Sequence, residues 1–290
     1  MLSAIPGVPS AFNSSVFMGV SGMFSSIHNA IYFVGIAAGG LIAWCLRALS
    51  NVIFAGNTTA DIFLTFYLNG FIAIISYIMY IVMFMGVPLT NQLYTSSNSS
   101  EESAKLVNGD EEEENVKQEK VPFTQTLKKM FVNLFSIAFI FFVTLSMFPG
   151  LFTAVSYDET NLAQQTTILL LTMCYMIGDL LSRLCVYIPI QWNQWVMFTL
   201  SVSRVLFYIP VFLYYFGIYS EPILMLVIMF IFSFTNGYIS ACSINLAYST
   251  ISPVEMKVGG NLVMVAMNGG LSLGSTILFL LNTFISPASK

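Results

Sequence analysis

A bundle of membrane-spanning α-helices is the fold class this sequence predicts, and three observations predict it. Hydrophobic residues make up 57% of the 290 and charged residues 8%, with a mean hydropathy of +0.80. A soluble globule of this size would need far more polar surface to coat itself. Apolar stretches of about 20 residues or more recur, each long enough to cross a hydrocarbon core of about 30 Å as a helix. They lack the short alternating pattern of an outer-membrane barrel. The expectation is an all-α polytopic membrane protein with about eight transmembrane helices.

The expected spans run over Ala4–Phe24, Ser26–Phe54, Ile62–Met85, Met130–Val155, Thr167–Ile190, Trp195–Tyr219, Pro222–Tyr248 and Val258–Ile285. Residues 1–9 carry no basic segment of the kind that begins a signal peptide, and Pro6 and Pro9 break the first apolar run early. Between Thr90 and Lys129 lie 13 of the charged residues, including the acidic run Asp110–Glu114, beside the Ser/Asn-rich stretch Ser96–Ser100. Such a segment cannot bury enough apolar surface to fold, so it reads as a solvated loop. The chain then divides into residues 1–89 with three helices, a flexible loop at 90–129, and a five-helix bundle at 130–290. A partner-docking tail is the alternative reading of the acidic run. Eight acidic residues against five lysines give this loop −3 of the net charge of −4, which carries no information about a substrate.

Orientation follows from cations near span ends. Lys117, Lys120, Lys128 and Lys129 flank the loop and Lys257 lies between the last two spans, so with eight crossings these fall on one side, assigned to the cytoplasm. The opposite loops, Ala55–Asp61, Ser156–Gln165 and Ser220–Glu221, contain no Lys or Arg. Asn57-Thr58-Thr59 in the first of them is a glycosylation sequon.

The four cysteines, Cys45, Cys174, Cys185 and Cys242, lie in expected spans without ligand spacing and read as small buried hydrophobes, with no disulfide framework, metal site or cofactor. His28 stands near a break between spans with no second His or carboxylate close in sequence, and reads as a capping or packing histidine. No nucleophile elbow, phosphate-cradling loop or metal-binding helix motif occurs, so an enzyme is not expected.

The informative residues are charges inside spans. Asp179 and Arg183 sit one helical turn apart in an otherwise apolar run, where a charge costs roughly 2.5 to 3.5 kcal/mol on insertion scales and is kept mainly to face a partner or a water-filled path. Arg204 has no acid on its own helix, which makes Asp179 its expected partner. Two arginines competing for one carboxylate would leave donors for a ligand. The competing reading makes the three charges helix staples. Arg47 is expected to snorkel to the outer interface without a transport role. Small residues at Gly19 and Gly22, at Gly35, Gly39 and Gly40, at Gly259 and Gly260, and at Gly269, Gly270 and Gly274 permit close helix contact. Phe148-Pro149-Gly150 and Asn236-Gly237 are expected to interrupt their helices near mid-depth, where freed carbonyls and the Asn amide would meet a polar solute.

These residues together resemble a known family. Phe148-Pro149-Gly150, then Asp179-x-x-x-Arg183, then Ser203-Arg204 with Pro210, then Phe234-Thr235-Asn236-Gly237-Tyr238, and a glycine-rich last span are similar, in order, spacing and span, to the C-terminal half of the equilibrative nucleoside transporters. Upstream, Gly19 and Gly22 and the Gly35–Gly40 stretch resemble that family's fourth and fifth helices, and the acidic loop sits where the family has its large cytoplasmic loop. The resemblance covers nearly the whole chain.

The resemblance implies a major-facilitator-type bundle, here partial, and facilitated transport of nucleosides, or nucleobases, by alternating access. It implies that Asp179 and Arg183 contact the nucleoside, chiefly through its ribose, while Arg204 and Asn236 support the cavity and the helix interface. A carboxylate accepting from vicinal hydroxyls and a guanidinium donating to oxygens suit a neutral polar solute. Three departures stand out. By the resemblance the sequence is expected to start at the family's fourth helix, without the first three, one of which gives the family an aromatic contact to the nucleobase. The family's cavity Gln aligns near Ser14, with Asn13 beside it. Ser182 precedes Arg183 where the family often has Gly. The expected partners are a nucleoside and the lipid bilayer, not nucleic acid, and the expected location is the plasma membrane. The runners-up are a non-transporting relative acting as an assembly partner and a carrier of another small polar solute.

Overall fold

A computed structural model describes residues 26–54, 58–86, 123–153, 161–188, 190–218, 221–252 and 255–284. The expected span Ala4–Phe24 lies outside the described residues, with Asn13, Ser14, Gly19, Gly22, the sequon residue Asn57, the acidic run Asp110–Glu114 and the side chain of His28. Regular structure among the described residues is helical throughout: α1 Ser26–Ile53, α2 Thr58–Gly86, α3 Phe123–Met147, a single turn α4 Gly150–Thr153, α5 Asn161–Cys185, α6 Gln194–Ser203, a 3₁₀ turn Arg204–Phe207, α7 Tyr208–Tyr215, α8 Pro222–Ser249 and α9 Met256–Phe284. Seven stretches of them are long and apolar enough to cross a membrane. The protein is an α-helical polytopic membrane protein.

The described residues form two compact units, one drawn from residues 26–44 and 123–284, the other from 45–86. In the first, α3 packs along α9, α8 and α6, and α8 packs along α5. Helices α3 and α8 run antiparallel, because Thr144 meets Asn236 while Thr126 and Lys129, at the start of α3, meet Glu255 beyond the end of α8. Glycine sets the closest approach of α9 to α3. A Cβ at Gly270 would lie 2.1 Å from the Ala138 carbonyl oxygen, whereas one at neighbouring Gly269 would meet nothing. Cβ atoms at Gly35 and Gly39 would likewise meet nothing among the described residues.

Several expectations need correction. Helix α3 begins at Phe123, so Lys128 and Lys129 are helical and not part of a loop. The sixth span is not one α-helix: Pro210 lacks the N–H that would bond to Leu206, and the chain tightens to 3₁₀ geometry one turn earlier, over Arg204–Phe207. Asn236-Gly237 does not interrupt its helix, since α8 is continuous through both. Only Cys242 of the four cysteines is buried. Cys174 and Cys185 are half-buried and Cys45 is exposed, as an apolar thiol on a lipid-facing surface tolerates.

In the second unit, Asp61 belongs to the first turn of α2 rather than to a loop. It is 5% exposed and binds Arg47 at 2.7 Å and the Ser50 hydroxyl at 2.6 Å. Arg47 therefore does more than snorkel: it neutralises a buried carboxylate that would otherwise be expensive at a helix end. The large side chains of α2, among them Phe63, Phe66, Tyr67 and Phe71, are exposed, the inverse of a soluble helix and suited to lipid.

Candidate functional site

The site grows from the contact of α5 with α8. Gly178 and Ser182 on α5 face Ser233 and Gly237 on α8, each pair one turn apart, so that each serine lies over the opposite glycine. A Cβ at Gly178 would sit 2.0 Å from Ser233 Oγ, and one at Gly237 would sit 2.0 Å from Ser182 Oγ and 2.7 Å from the Asp179 carbonyl oxygen. The Ser182 hydroxyl donates to that same carbonyl at 2.7 Å. The glycine expected before Arg183 is thus replaced by a serine whose oxygen fills the space left by Gly237. This close approach brings Asp179 within reach of Asn236.

Asp179 and Arg183, both buried, form an ion pair: Arg183 Nε donates to Asp179 Oδ2 at 2.9 Å and Nη2 to Oδ1 at 3.4 Å. Asn236 Nδ2 donates to Asp179 Oδ1 at 3.0 Å and to the Tyr175 hydroxyl at 3.2 Å. At the other end of the amide, Asn236 Oδ1 accepts from Arg204 Nη1 at 3.1 Å and from Thr144 Oγ1 at 2.7 Å. Arg204, 1% exposed, also donates through Nη2 to Thr144 Oγ1 and to the Phe232 carbonyl, and its guanidinium lies over the Phe232 ring at 4.7 Å. The Arg183 guanidinium lies 5.7 Å from the centre of the Phe33 ring of α1.

The expected Asp179–Arg204 pair is therefore replaced by a relay. Asn236 stands between them, and an acceptor-only carboxylate on one side with a donor-only guanidinium on the other fixes which end of its amide faces which. Two cations and one carboxylate leave the cluster with an excess positive charge inside the membrane-spanning unit, softened by the Phe232 face and by neutral acceptors. Among the described residues Arg183 Nη1 makes no hydrogen bond, and Arg204 Nε, buried, has no partner.

Of the other expected residues, Phe148 stacks on Tyr175 with ring centres 4.2 Å apart and an interplanar angle of 3°. Pro149, joined to Phe148 by a cis peptide bond, is exposed and makes no part of the cluster. Asn13, Ser14 and Asn57 are not among the described residues. Sequence reasoning missed Thr144, Tyr175 and Phe232. Tyr175 had a signal, since it lies one turn before Asp179 on the same helix face. Thr144 and Phe232 had none, because a threonine or phenylalanine in an apolar run is ordinary.

A family model described as nucleoside transporter matches residues 6–283. Equilibrative nucleoside transporter 4 of Danio rerio is 27% identical over 162 residues, which cover 54% of this chain and 30% of that protein. Adenosine transporter 1 of Crithidia fasciculata is 28% identical over 163 residues, 55% of this chain and 32% of that protein. Equilibrative nucleotide transporter 7 of Arabidopsis thaliana is 24% identical over 296 residues, 94% of this chain and 69% of that protein. The chain spans about a third of the length of the first two relatives. A match along nearly its whole length, over a helical membrane fold whose buried polar cluster holds the acid and arginines that carried the resemblance, leads to one conclusion: the chain belongs to the nucleoside transporter family.

Proposed function

We propose that this protein carries nucleosides across a membrane by facilitated, alternating-access transport, with Asp179 and Arg183 as the groups that contact the solute. The observation that carries the reading is the buried cluster itself, in which Arg183 pairs with Asp179 and Asn236 bridges Asp179 to Arg204 among membrane-spanning helices. Charged groups kept at such a cost in a membrane mark solute paths. A neutral solute rich in hydroxyl and carbonyl oxygens suits the excess positive charge and the Arg183 donor, and its vicinal hydroxyls suit the remaining lone pairs of Asp179. The names of the relatives, nucleoside and adenosine transporters among them, point to the same class of solute.

Arg204, Asn236 and Thr144 support the pair rather than touch the solute, and Phe148 with Tyr175 forms an aromatic wall beside it. The plasma membrane is the proposed location. Uptake of radiolabelled adenosine or uridine into nucleoside-transport-deficient cells tests the reading. Saturable uptake is expected, reduced about 10- to 100-fold by Asp179→Asn or Arg183→Ala, the loss that follows from removing a hydrogen bond to a charged group. Well-expressed protein without uptake above background would sink the function. Uptake indifferent to both substitutions would sink the site.

A further inference from the structure

Below the central cluster, toward the end of the first unit that carries Lys129, the packing is apolar: Met130, Ile137, Ile244 and Ala247 form one buried layer with Phe33 of α1. On α3 and α8 at this level, Asn133, Ser243, Asn245 and Tyr248 carry polar atoms with no hydrogen-bond partner among the described residues, Asn245 through its amide oxygen alone. Asn133, fully buried, leaves both its amide nitrogen and its amide oxygen unpaired. The hydroxyls of Ser243, also fully buried, and Tyr248, 5% exposed, are unpaired too. Ser240, by contrast, satisfies its hydroxyl on its own helix at the Gly237 carbonyl. Starting from the Thr144–Asn236 contact, the antiparallel helices place Ser243 about 10 Å, and Asn133 and Tyr248 about 16 to 18 Å, along the axis toward the lysine-bearing end.

Phe33 connects the two levels, because its ring, 3% exposed, faces Arg183 and also packs in the layer that contains Tyr248. A buried amide with neither end partnered is disfavoured wherever a leucine would fit. Its presence makes sense in a second conformation in which those groups meet a polar solute. We propose that Asn133, Ser243 and Tyr248 form a second polar station for a neutral hydrogen-bonding solute of the nucleoside class, between the central cluster and the lysine-bearing end, and that Phe33 shuts it in this structure. The station rests on the transport reading. Its chemistry, an amide donor and acceptor with two hydroxyls, matches the edges of a nucleobase or ribose.

The test is cysteine accessibility in full-length protein whose native cysteines are replaced by serine or alanine. Ser243→Cys, which exchanges one oxygen for sulfur, and Asn133→Cys are treated with a membrane-impermeant methanethiosulfonate from each side of sealed vesicles, and uptake is read on matched unlabelled vesicles. Labelling is expected from one side only, several-fold faster when Phe33→Ala is added, and slowed by adenosine or uridine. If neither cysteine reacts in monodisperse protein, with or without Phe33→Ala, while uptake persists, the station is wrong and transport stands. If nucleosides leave the labelling unchanged while uptake persists, the station does not hold the solute and is likewise overturned. Reactive cysteines accelerated by Phe33→Ala in a protein without uptake support the polar route and count against the proposed transport.

Discussion

Asn236 uses all of its hydrogen-bonding capacity, and each neighbour dictates the end of the amide it faces: Asp179 and Tyr175 accept from the nitrogen, Arg204 and Thr144 donate to the oxygen. Replacing it by leucine strips a partner from two buried charges at once, so Asn236→Leu is expected to destabilise the protein by about 3 kcal/mol, read as a lowered Tm in detergent. A drop no larger than that of a surface substitution would show that the relay is not structural. At the lysine-bearing end, Glu255 accepts from Lys129 at 2.8 and 2.9 Å, from the Thr126 hydroxyl, and from the backbone and hydroxyl of Ser252. The Lys129 ammonium first, and the Ser252 N–H next, hold its carboxyl down from an ordinary 4.5 to about 2. A lowered pKa means that the stabilisation is fully present above about pH 4.5 and is lost as pH falls through about 2. A stability profile of purified protein between those values is expected to lose its acid component in Glu255→Gln.

Two glycine-mediated contacts govern the helices, α5 against α8 and α9 against α3. Neighbouring glycines make the second one testable. Gly269→Ala adds a methyl where nothing stands and is expected to be neutral or to stabilise by up to about 1 kcal/mol through helix propensity. Gly270→Ala drives a methyl into the Ala138 backbone, cannot be relieved by a side-chain rotation, and is expected to separate the helices and lower Tm. Equal effects of the two would refute this packing. The sequence spacing placed both residues in one small-residue stripe, which is all a pattern of types can do; which member touches a neighbour depends on the rotation of α9 about its own axis. Helix ends behaved similarly. Pro222 at the first position of α8 and the Asn193 cap of α6, whose side chain accepts from the Trp195 N–H, are local and readable, whereas the 3₁₀ turn at Arg204–Phe207 also carries Arg204 into the buried cluster.

Among the described residues, large apolar side chains cover much of the exposed helix surface, and the buried charges gather at the Asp179 cluster and at helix ends. The proposed facilitated carrier is expected to equalise rather than accumulate its solute. In vesicles, internal nucleoside should approach the external concentration and remain there when ion gradients are collapsed by ionophores. Accumulation well above the external level, abolished by an ionophore, would replace the facilitated reading with a coupled one.

The sequence by itself determined the helical membrane class and pointed to Asp179, Arg183, Arg204 and Asn236, because a polar group inside a long apolar run is costly enough to stand out against its surroundings. Only the tertiary structure decided how those residues connect. The insertion of Asn236 between Asp179 and Arg204, the pairing of Arg47 with Asp61, the recruitment of Thr144, Tyr175 and Phe232, and the continuity of α8 through Gly237 all depend on how closely two helices approach and which faces they present. Spacing along one chain segment encodes a face, but the distance between faces is set by the small residues on both partners, and it becomes legible only when the helices are packed.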